Sequence, residues 1–215
     1  MAGVLDYMCV DKWGEAKRLY LLTHQHGDHL RKAEALPGEV TLIVSEARDT
    51  KFGTIKGAVL ANYYNYCRKH TDFGKIIVKP GEVTEISEIP LSIRVLKTNF
   101  HSDIFHIRLR DKTAIVLGDF DPEETEIVFK IIRDVSADEV CLPVYSPSAD
   151  HKEHPYGKGV LFRECNWLGK CLKSRRYMLK IPKIVAMGHS EGTRKPRWAD
   201  EYVPPIPEAH TFASP

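Results

Sequence analysis

The most informative stretch of this chain is Leu19-Tyr20-Leu21-Leu22-Thr23-His24-Gln25-His26-Gly27-Asp28-His29. An apolar run is followed at once by three histidines and one aspartate within six residues. Imidazole nitrogens and carboxylate oxygens are ligands that Zn²⁺ and similar divalent ions accept. The pattern therefore predicts a metal site that uses His24, His26, Asp28 and His29. The alternative is a solvated loop or a helix start that Asp28 caps.

The surroundings of this motif predict a turn between a strand and a helix. The run Lys17–Thr23 predicts a buried strand, and Leu30–Leu36 predicts a short helix that Pro37-Gly38 ends. In an extended chain His24 and His26 project to the same side. A turn through Gly27 would direct Asp28 and His29 towards a second position.

Composition limits the classes of protein to which the chain can belong. The 215 residues are 43% hydrophobic, which is enough for one sizeable core, and the net charge of +2 favours no class of partner. No apolar run is long enough to span a membrane, and the N-terminus lacks the basic and apolar segments of a secretory signal. The five widely spaced cysteines indicate reduced thiols. We therefore expect an intracellular protein without a membrane-spanning segment.

The rest of the chain mixes strand and helix patterns, which predicts an α/β fold of packed sheets flanked by helices. A single domain is expected over residues 1–195. A tail with five prolines follows over residues 196–215, either extended on the surface or mobile. Further strands are predicted at Val40–Ser45, Lys75–Val78, Leu91–Leu96, Ile104–Leu109, Thr113–Leu117, Glu139–Pro143 and Lys183–Met187, and helices at Thr54–Lys69, Pro122–Val135 and Lys158–Cys171.

Three later strands also lead to potential metal ligands, as the first one does. Asp121 is expected to cap the helix that follows it, which leaves Asp119 available to a metal. His101 could instead be a turn residue, and His151 and His154 lie in a polar loop that is either solvated or close to the substrate. The ligands expected just beyond the strand ends are His101, Asp119 and His189.

The His-x-His-x-Asp-His motif, followed by a distant His, a Gly-Asp and a last His, resembles the metallo-β-lactamase superfamily. The resemblance extends from about Val10 to Glu191. It implies a four-layer αββα sandwich with one or two Zn²⁺ ions, or Mn²⁺ or Fe, along one edge of the sheets. It further implies one metal held by His24, His26 and His101, a second held by Asp28, His29 and His189, and Asp119 bridging them.

A narrower resemblance is to the Artemis-type DNA-repair nucleases. Cys9-Val10-Asp11-Lys12-Trp13 and Ile115-Val116-Leu117-Gly118-Asp119-Phe120 are similar to the opening and middle of those enzymes. This implies that Asp11 steadies a ligand histidine; the alternative is a turn residue at the end of a strand. The chain lacks their inserted β-CASP region, and Pro143 stands where they carry an acidic residue.

The expected chemistry is hydrolysis by metal-activated water, because a bound divalent ion lowers the pKa of water towards neutrality. Asp28 or Asp119 would orient the water and accept its proton. We favour a phosphodiesterase or nuclease, without distinguishing exonuclease from endonuclease action. The alternatives are a hydrolase of another ester, a thioester or a lactone, and a metal-binding module without catalytic activity.

A basic segment favours a nucleic acid or nucleotide as the substrate. Arg163–Arg197 contains ten Lys or Arg residues and two acidic ones. Within it, Arg175, Arg176 and Tyr177 offer cations for phosphates and an aromatic ring for bases, and we predict that they bind substrate. The alternative is a solvated basic face of a helix.

Overall fold

A computed structural model describes residues 8–11, 19–24, 41–46, 74–87, 89–98, 102–119, 124–145, 160–181, 183–188 and 193–205. The helices predicted at Leu30–Leu36 and Thr54–Lys69 lie outside these residues. All eight predicted strands are present, and their bounds are within two residues of those expected. The sequence patterns did not predict three short strands, Cys9–Val10, Thr84–Ile86 and Glu201–Val203.

The first sheet contains four parallel strands in the order β1-β2-β3-β4. Side chains on both faces of β2 and β3 are buried. Continuous apolar runs are the usual sequence pattern of parallel strands that are covered on both sides. The four strands are β1 (Cys9–Val10), β2 (Leu19–Leu22), β3 (Thr41–Ser45) and β4 (Gly74–Val78).

The second sheet contains seven strands in the order β11-β10-β9-β8-β7-β6-β5. The strands from β5 to β8 pair antiparallel, and those from β8 to β11 pair parallel. Their bounds are β5 (Thr84–Ile86), β6 (Leu91–Thr98), β7 (Asp103–Leu109), β8 (Lys112–Leu117), β9 (Glu139–Val144), β10 (Lys183–Gly188) and β11 (Glu201–Val203).

Two helices connect the parallel strands of the second sheet, as parallel pairing requires. Helix α1 (Thr125–Asp134) joins β8 to β9, and helix α2 (Val160–Leu179) joins β9 to β10. Helix α2 extends eight residues beyond its predicted end at Cys171. The prediction was too short because no glycine or proline interrupts the chain between Cys171 and Pro182, so nothing local ends the helix earlier.

The second sheet separates two hydrophobic cores, and β8 shows the division. Ala114 and Val116 belong to the core between the two sheets, whereas Ile115 and Leu117 belong to the core beneath the helices. This alternation follows from the two-residue period of a strand. The first core also includes Leu21 from the first sheet, so the sheets pack face to face.

Residues 196–205, the first ten of the predicted tail, contain a paired strand and a buried side chain. Strand β11 pairs in parallel with β10, and Trp198 is buried in the core beneath the helices. The Trp198 ring packs so closely on α2 that a Cβ added to Gly169 would lie 2.4 Å from it. Only a glycine lets the ring approach the helix this closely.

The predicted α/β sandwich is confirmed: two face-to-face sheets are flanked by helices packed on the second sheet. Neither described helix is both long and apolar enough to cross a membrane. The described cysteines, Cys9, Cys141, Cys165 and Cys171, form no disulfide with one another.

Candidate metal centre

Four polar residues lie one or two positions beyond the ends of strands in the two sheets. Asp11 follows β1 and Thr23 follows β2 in the first sheet; Asp119, one residue beyond Gly118, follows β8, and Tyr145 follows β9. The carboxyl ends of neighbouring parallel strands lie at the same edge of a sheet, so each sheet contributes an adjacent pair.

Close packing holds the ends of β2 and β8 together across the two sheets. A Cβ on Gly118 would lie 2.1 Å from the Thr23 hydroxyl oxygen and 2.9 Å from the Ser102 Cβ, so only glycine fits. The Asp103 N–H donates to the Thr23 carbonyl at 3.0 Å, and the Ser102 hydroxyl donates to the Asp119 carbonyl. These contacts fix the position of Asp119 relative to Thr23 and the residue after it, His24.

A chain of hydrogen bonds leads from Asp11 to His24. The Thr23 N–H donates to Asp11 Oδ1 at 2.8 Å, and the Thr23 hydroxyl donates to Asp11 Oδ2 at 2.6 Å. The same hydroxyl oxygen lies 3.0 Å from His24 Nδ1. Because its single proton goes to Asp11, the hydroxyl can only accept from His24, which places a proton on Nδ1. The other ring nitrogen of a neutral His24, Nε2, then carries a lone pair.

That nitrogen faces the carboxylate of Asp119. His24 Nε2 lies 3.4 Å from Asp119 Oδ2, and both side chains are at most 2% exposed. The Tyr145 hydroxyl donates to the other oxygen, Asp119 Oδ1. Tyr145 is itself buried, so both the imidazole and the carboxylate are held in fixed orientations.

Burial also affects the carboxyl group at the start of this hydrogen-bond chain. Desolvation raises the pKa of Asp11 from 3.8 to about 6, although the charge of His24 and the hydrogen bonds from Thr23 oppose the rise. The nearby Asp119 carboxylate adds to the increase. At neutral pH Asp11 is therefore ionised and accepts both hydrogen bonds from Thr23.

The pair formed by His24 and Asp119 has the chemistry and spacing of two ligands of one metal ion. Two donor atoms bound to a tetrahedral Zn²⁺ at about 2.05 Å lie roughly 3.3 Å apart. The separation of 3.4 Å between Nε2 and Oδ2 fits that geometry. Without an ion, a protonated His24 would form an ion pair with Asp119 at the same distance. The residues present thus fit a divalent ion.

Of the seven predicted metal ligands, the structure brings together His24 and Asp119. The other five lie outside the described residues, and the described part of the chain contains no cluster of three or more possible metal ligands. Strand β10 ends at Gly188, which pairs with Val144 next to Tyr145. The predicted ligands outside the described residues are His26, Asp28, His29, His101 and His189, and His151 and His154 also lie outside them.

Three side chains of the site were missed by the sequence analysis, although a signal was present for one of them. Tyr145 follows the apolar strand β9 directly, as the predicted ligands follow theirs, but tyrosine is not among the usual ligands of Zn²⁺. Thr23 is the last residue of the strand that the sequence predicts, so its side chain gave no separate signal. Ser102 offered no signal, because its role depends on the contact with the Asp119 carbonyl.

The predicted substrate-binding residues lie in the last two turns of α2. The Arg175 guanidinium lies 5.3 Å from the centre of the Phe129 ring of α1. Arg176 donates to Asp200 Oδ1 at 3.1 Å, and Tyr177 is 91% exposed. The structure therefore does not bring these three side chains together around a common site.

Comparison with known proteins gives only distant likenesses. No protein-family profile and no curated protein matches the chain. Three solved structures resemble the chain, each with a TM-score below 0.5.

The metallo-β-lactamase fold protein YhfI from Bacillus subtilis is 15% identical with a TM-score of 0.46, over 86% of this chain and 76% of that one. Human tRNase Z, short form, is 12% identical with a TM-score of 0.39, over 86% and 82% of the two chains. Yeast PDE1 is 15% identical with a TM-score of 0.40; the match covers 85% of this chain and 60% of that protein.

Proposed function

We propose that this chain is a metal-dependent hydrolase of the metallo-β-lactamase superfamily, and that it cleaves phosphodiester bonds in nucleic acid or nucleotides. The observation that carries the proposal is the chain of contacts from Asp11 through Thr23 to His24, which ends opposite Asp119. The motif from His24 to His29 supplies the remaining support from the sequence.

The hydrogen bond from Nδ1 gives His24 a defined task. Histidines that bind a metal usually donate their second ring N–H to a fixed partner, which sets the tautomer and the orientation of the ring. Here the partner is the Thr23 hydroxyl, and the Asp11 carboxylate orients that hydroxyl in turn. A buried ion pair between His24 and Asp119 would not require His24 Nδ1 to donate to a hydroxyl that a carboxylate orients.

Zn²⁺ or a similar ion held by His24 and Asp119, together with the predicted ligands, would supply hydroxide from water at neutral pH. The two carboxylate oxygens of Asp119 have different partners: Oδ2 faces His24, and Oδ1 accepts from Tyr145. The Tyr145 hydroxyl thereby keeps the carboxylate plane fixed. Asp28 remains the other candidate for orienting the attacking water and accepting its proton.

The local charge favours a phosphodiester over a neutral ester. The segment from Arg163 to Arg197 carries ten basic residues and two acidic ones, although the whole chain has a net charge of only +2. A polyanionic substrate would gain from such a region through release of its counterions.

The test is a panel of substrates with two histidine variants. His24→Gln removes the proposed ligand, whereas His106→Gln removes a half-buried histidine on β7 that contacts Arg94 outside the site. We expect hydrolysis of bis-p-nitrophenyl phosphate and of single-stranded DNA or RNA by the wild type and by His106→Gln, and loss of both activities in His24→Gln. Turnover of only a thioester or a lactone would contradict the phosphodiester assignment.

A further inference from the structure

A cavity of about 700 Å³ opens beside the candidate metal centre. It lies between helix α2 and the segment 193–198, which leads to β11. Its size is within the range of sites that bind small molecules and cofactors. None of the predicted substrate-binding residues, Arg175, Arg176 and Tyr177, is among the described residues that line it.

The charged side chains at this cavity all have the same sign. The described lining includes Lys170, Lys173, Arg194 and Arg197, and no acidic residue. Lys173 is paired with Asp200, which lies outside the lining. Lys170, Arg194 and Arg197 are exposed and form no ion pair with any described residue. The described lining thus presents three exposed cations.

The deeper lining of the cavity is apolar and aromatic. Val144 and Trp198 are almost fully buried, and Phe162 is half-buried. A hydrogen bond of 2.9 Å from Trp198 Nε1 to Asn166 Oδ1 fixes the indole ring in the wall. A ligand that fits here combines a flat or apolar body with a group carrying negative charge.

Tyr145 connects the cavity to the candidate metal centre. Tyr145 is among the residues that line the cavity, and its hydroxyl donates to Asp119 Oδ1. One residue therefore contacts both the space for a ligand and the carboxylate that faces His24. A ligand in the cavity would lie next to the reacting group of a substrate at the metal centre.

We infer that this cavity binds one nucleoside monophosphate unit of the substrate, with the base against the apolar wall and the phosphate on Lys170, Arg194 and Arg197. The inference rests on the proposed function, because it places this unit beside a scissile phosphodiester. The same chemistry would admit a free nucleotide or the end of a single strand. Recognition would depend on the cations and the apolar wall together, since inorganic phosphate contacts only the cations and a nucleoside contacts only the wall.

Equilibrium binding to the purified protein tests the inference separately from hydrolysis. The ligands are AMP, adenosine, inorganic phosphate, octanoate and a short single-stranded oligonucleotide with a 5′-phosphate. The triple variant Lys170→Gln, Arg194→Gln, Arg197→Gln removes the cations of the cavity. A matched variant, Lys79→Gln, Arg108→Gln, Lys130→Gln, removes the same charge at positions that do not line the cavity.

We expect AMP to bind more tightly than adenosine, phosphate or octanoate. The cavity variant should bind AMP and the oligonucleotide about 10- to 100-fold more weakly at about 0.1 M salt, with a shallower dependence of affinity on salt. The matched variant should bind both as the wild type does. Tighter binding of AMP than of the oligonucleotide would identify a free nucleotide as the ligand within the same chemistry.

Equal affinity of the two variants for AMP, or octanoate binding as tightly as AMP, would overturn the inference about the cavity. If the wild type still hydrolysed phosphodiesters, the proposed function would remain. Conversely, selective AMP binding by a protein that cleaves no phosphodiester would refute the proposed function and leave the cavity assignment standing.

Discussion

Replacement of Thr23 by valine should weaken metal binding in addition to weakening the fold. Valine keeps the shape of threonine but removes the hydroxyl that joins Asp11 Oδ2 at 2.6 Å to His24 Nδ1 at 3.0 Å. A hydrogen bond to a charged group contributes about 1.5–3 kcal/mol to stability. Loss of the group that orients a ligand histidine costs about 10- to 100-fold in metal affinity or activity.

The chain offers a matched control for this substitution. Thr113 donates to Asp138 through its N–H at 2.8 Å and its hydroxyl at 3.0 Å, as Thr23 does to Asp11, but no hydrogen bond joins it to a histidine of the described part of the chain. Zinc affinity is measured by competition with a chelator, and the free energy of unfolding by urea denaturation of the metal-free protein. We expect both valine variants to lose stability and only Thr23→Val to lose zinc affinity. Equal zinc affinities in the two variants would refute a positioning role for Thr23.

Three further substitutions test the surroundings of the site. Gly118→Ala should weaken zinc affinity as Thr23→Val does, because its Cβ would lie 2.1 Å from the Thr23 hydroxyl; unchanged affinity in a chelator titration would contradict this. Tyr145→Phe should lower kcat for a phosphodiester about 10-fold or more while the protein stays folded by circular dichroism, since it frees the Asp119 carboxylate to rotate. Asp11→Asn tests the pKa of about 6 for the Asp11 carboxyl group. Because this pKa is raised, the folded state binds the Asp11 proton more tightly than the unfolded state does. This stabilisation is complete well below pH 4 and is lost as the pH rises past about 6, so the metal-free wild type should lose about 3 kcal/mol relative to Asp11→Asn between about pH 3 and about pH 7. Parallel pH profiles of the two proteins in urea denaturation would contradict that pKa.

Strand ends were the part of the site that the sequence could predict. An apolar run has a visible end, and a histidine or aspartate just beyond it is easy to find; His24 and Asp119 were found in this way. Their convergence depends on the two sheets packing face to face. The sequence pattern could indicate the edge of the sheets at which both residues lie, but not the distance between them. The separation of 3.4 Å is set by contacts such as those of Gly118 with Thr23.

The missed parts of the fold depend on contacts between distant segments. Strand β1 has two residues and β11 has three, too few for a periodic pattern, and each exists because a neighbouring parallel strand pairs with it. The segment after Pro196 carried a proline-rich pattern that suggested an extended or mobile tail. Trp198 nevertheless packs into the space left by Gly169, and a proline count cannot reveal that contact.

The central claim is that His24 and Asp119 bind one divalent metal ion, and anomalous diffraction at the zinc absorption edge tests it most directly. Crystals of the zinc-loaded protein should show a peak about 2.0–2.2 Å from both His24 Nε2 and the nearer Asp119 oxygen. His24→Gln should lose that peak, while His106→Gln should keep it. A zinc-loaded crystal in which His24 donates a proton directly to Asp119, with no peak between them, would contradict the account.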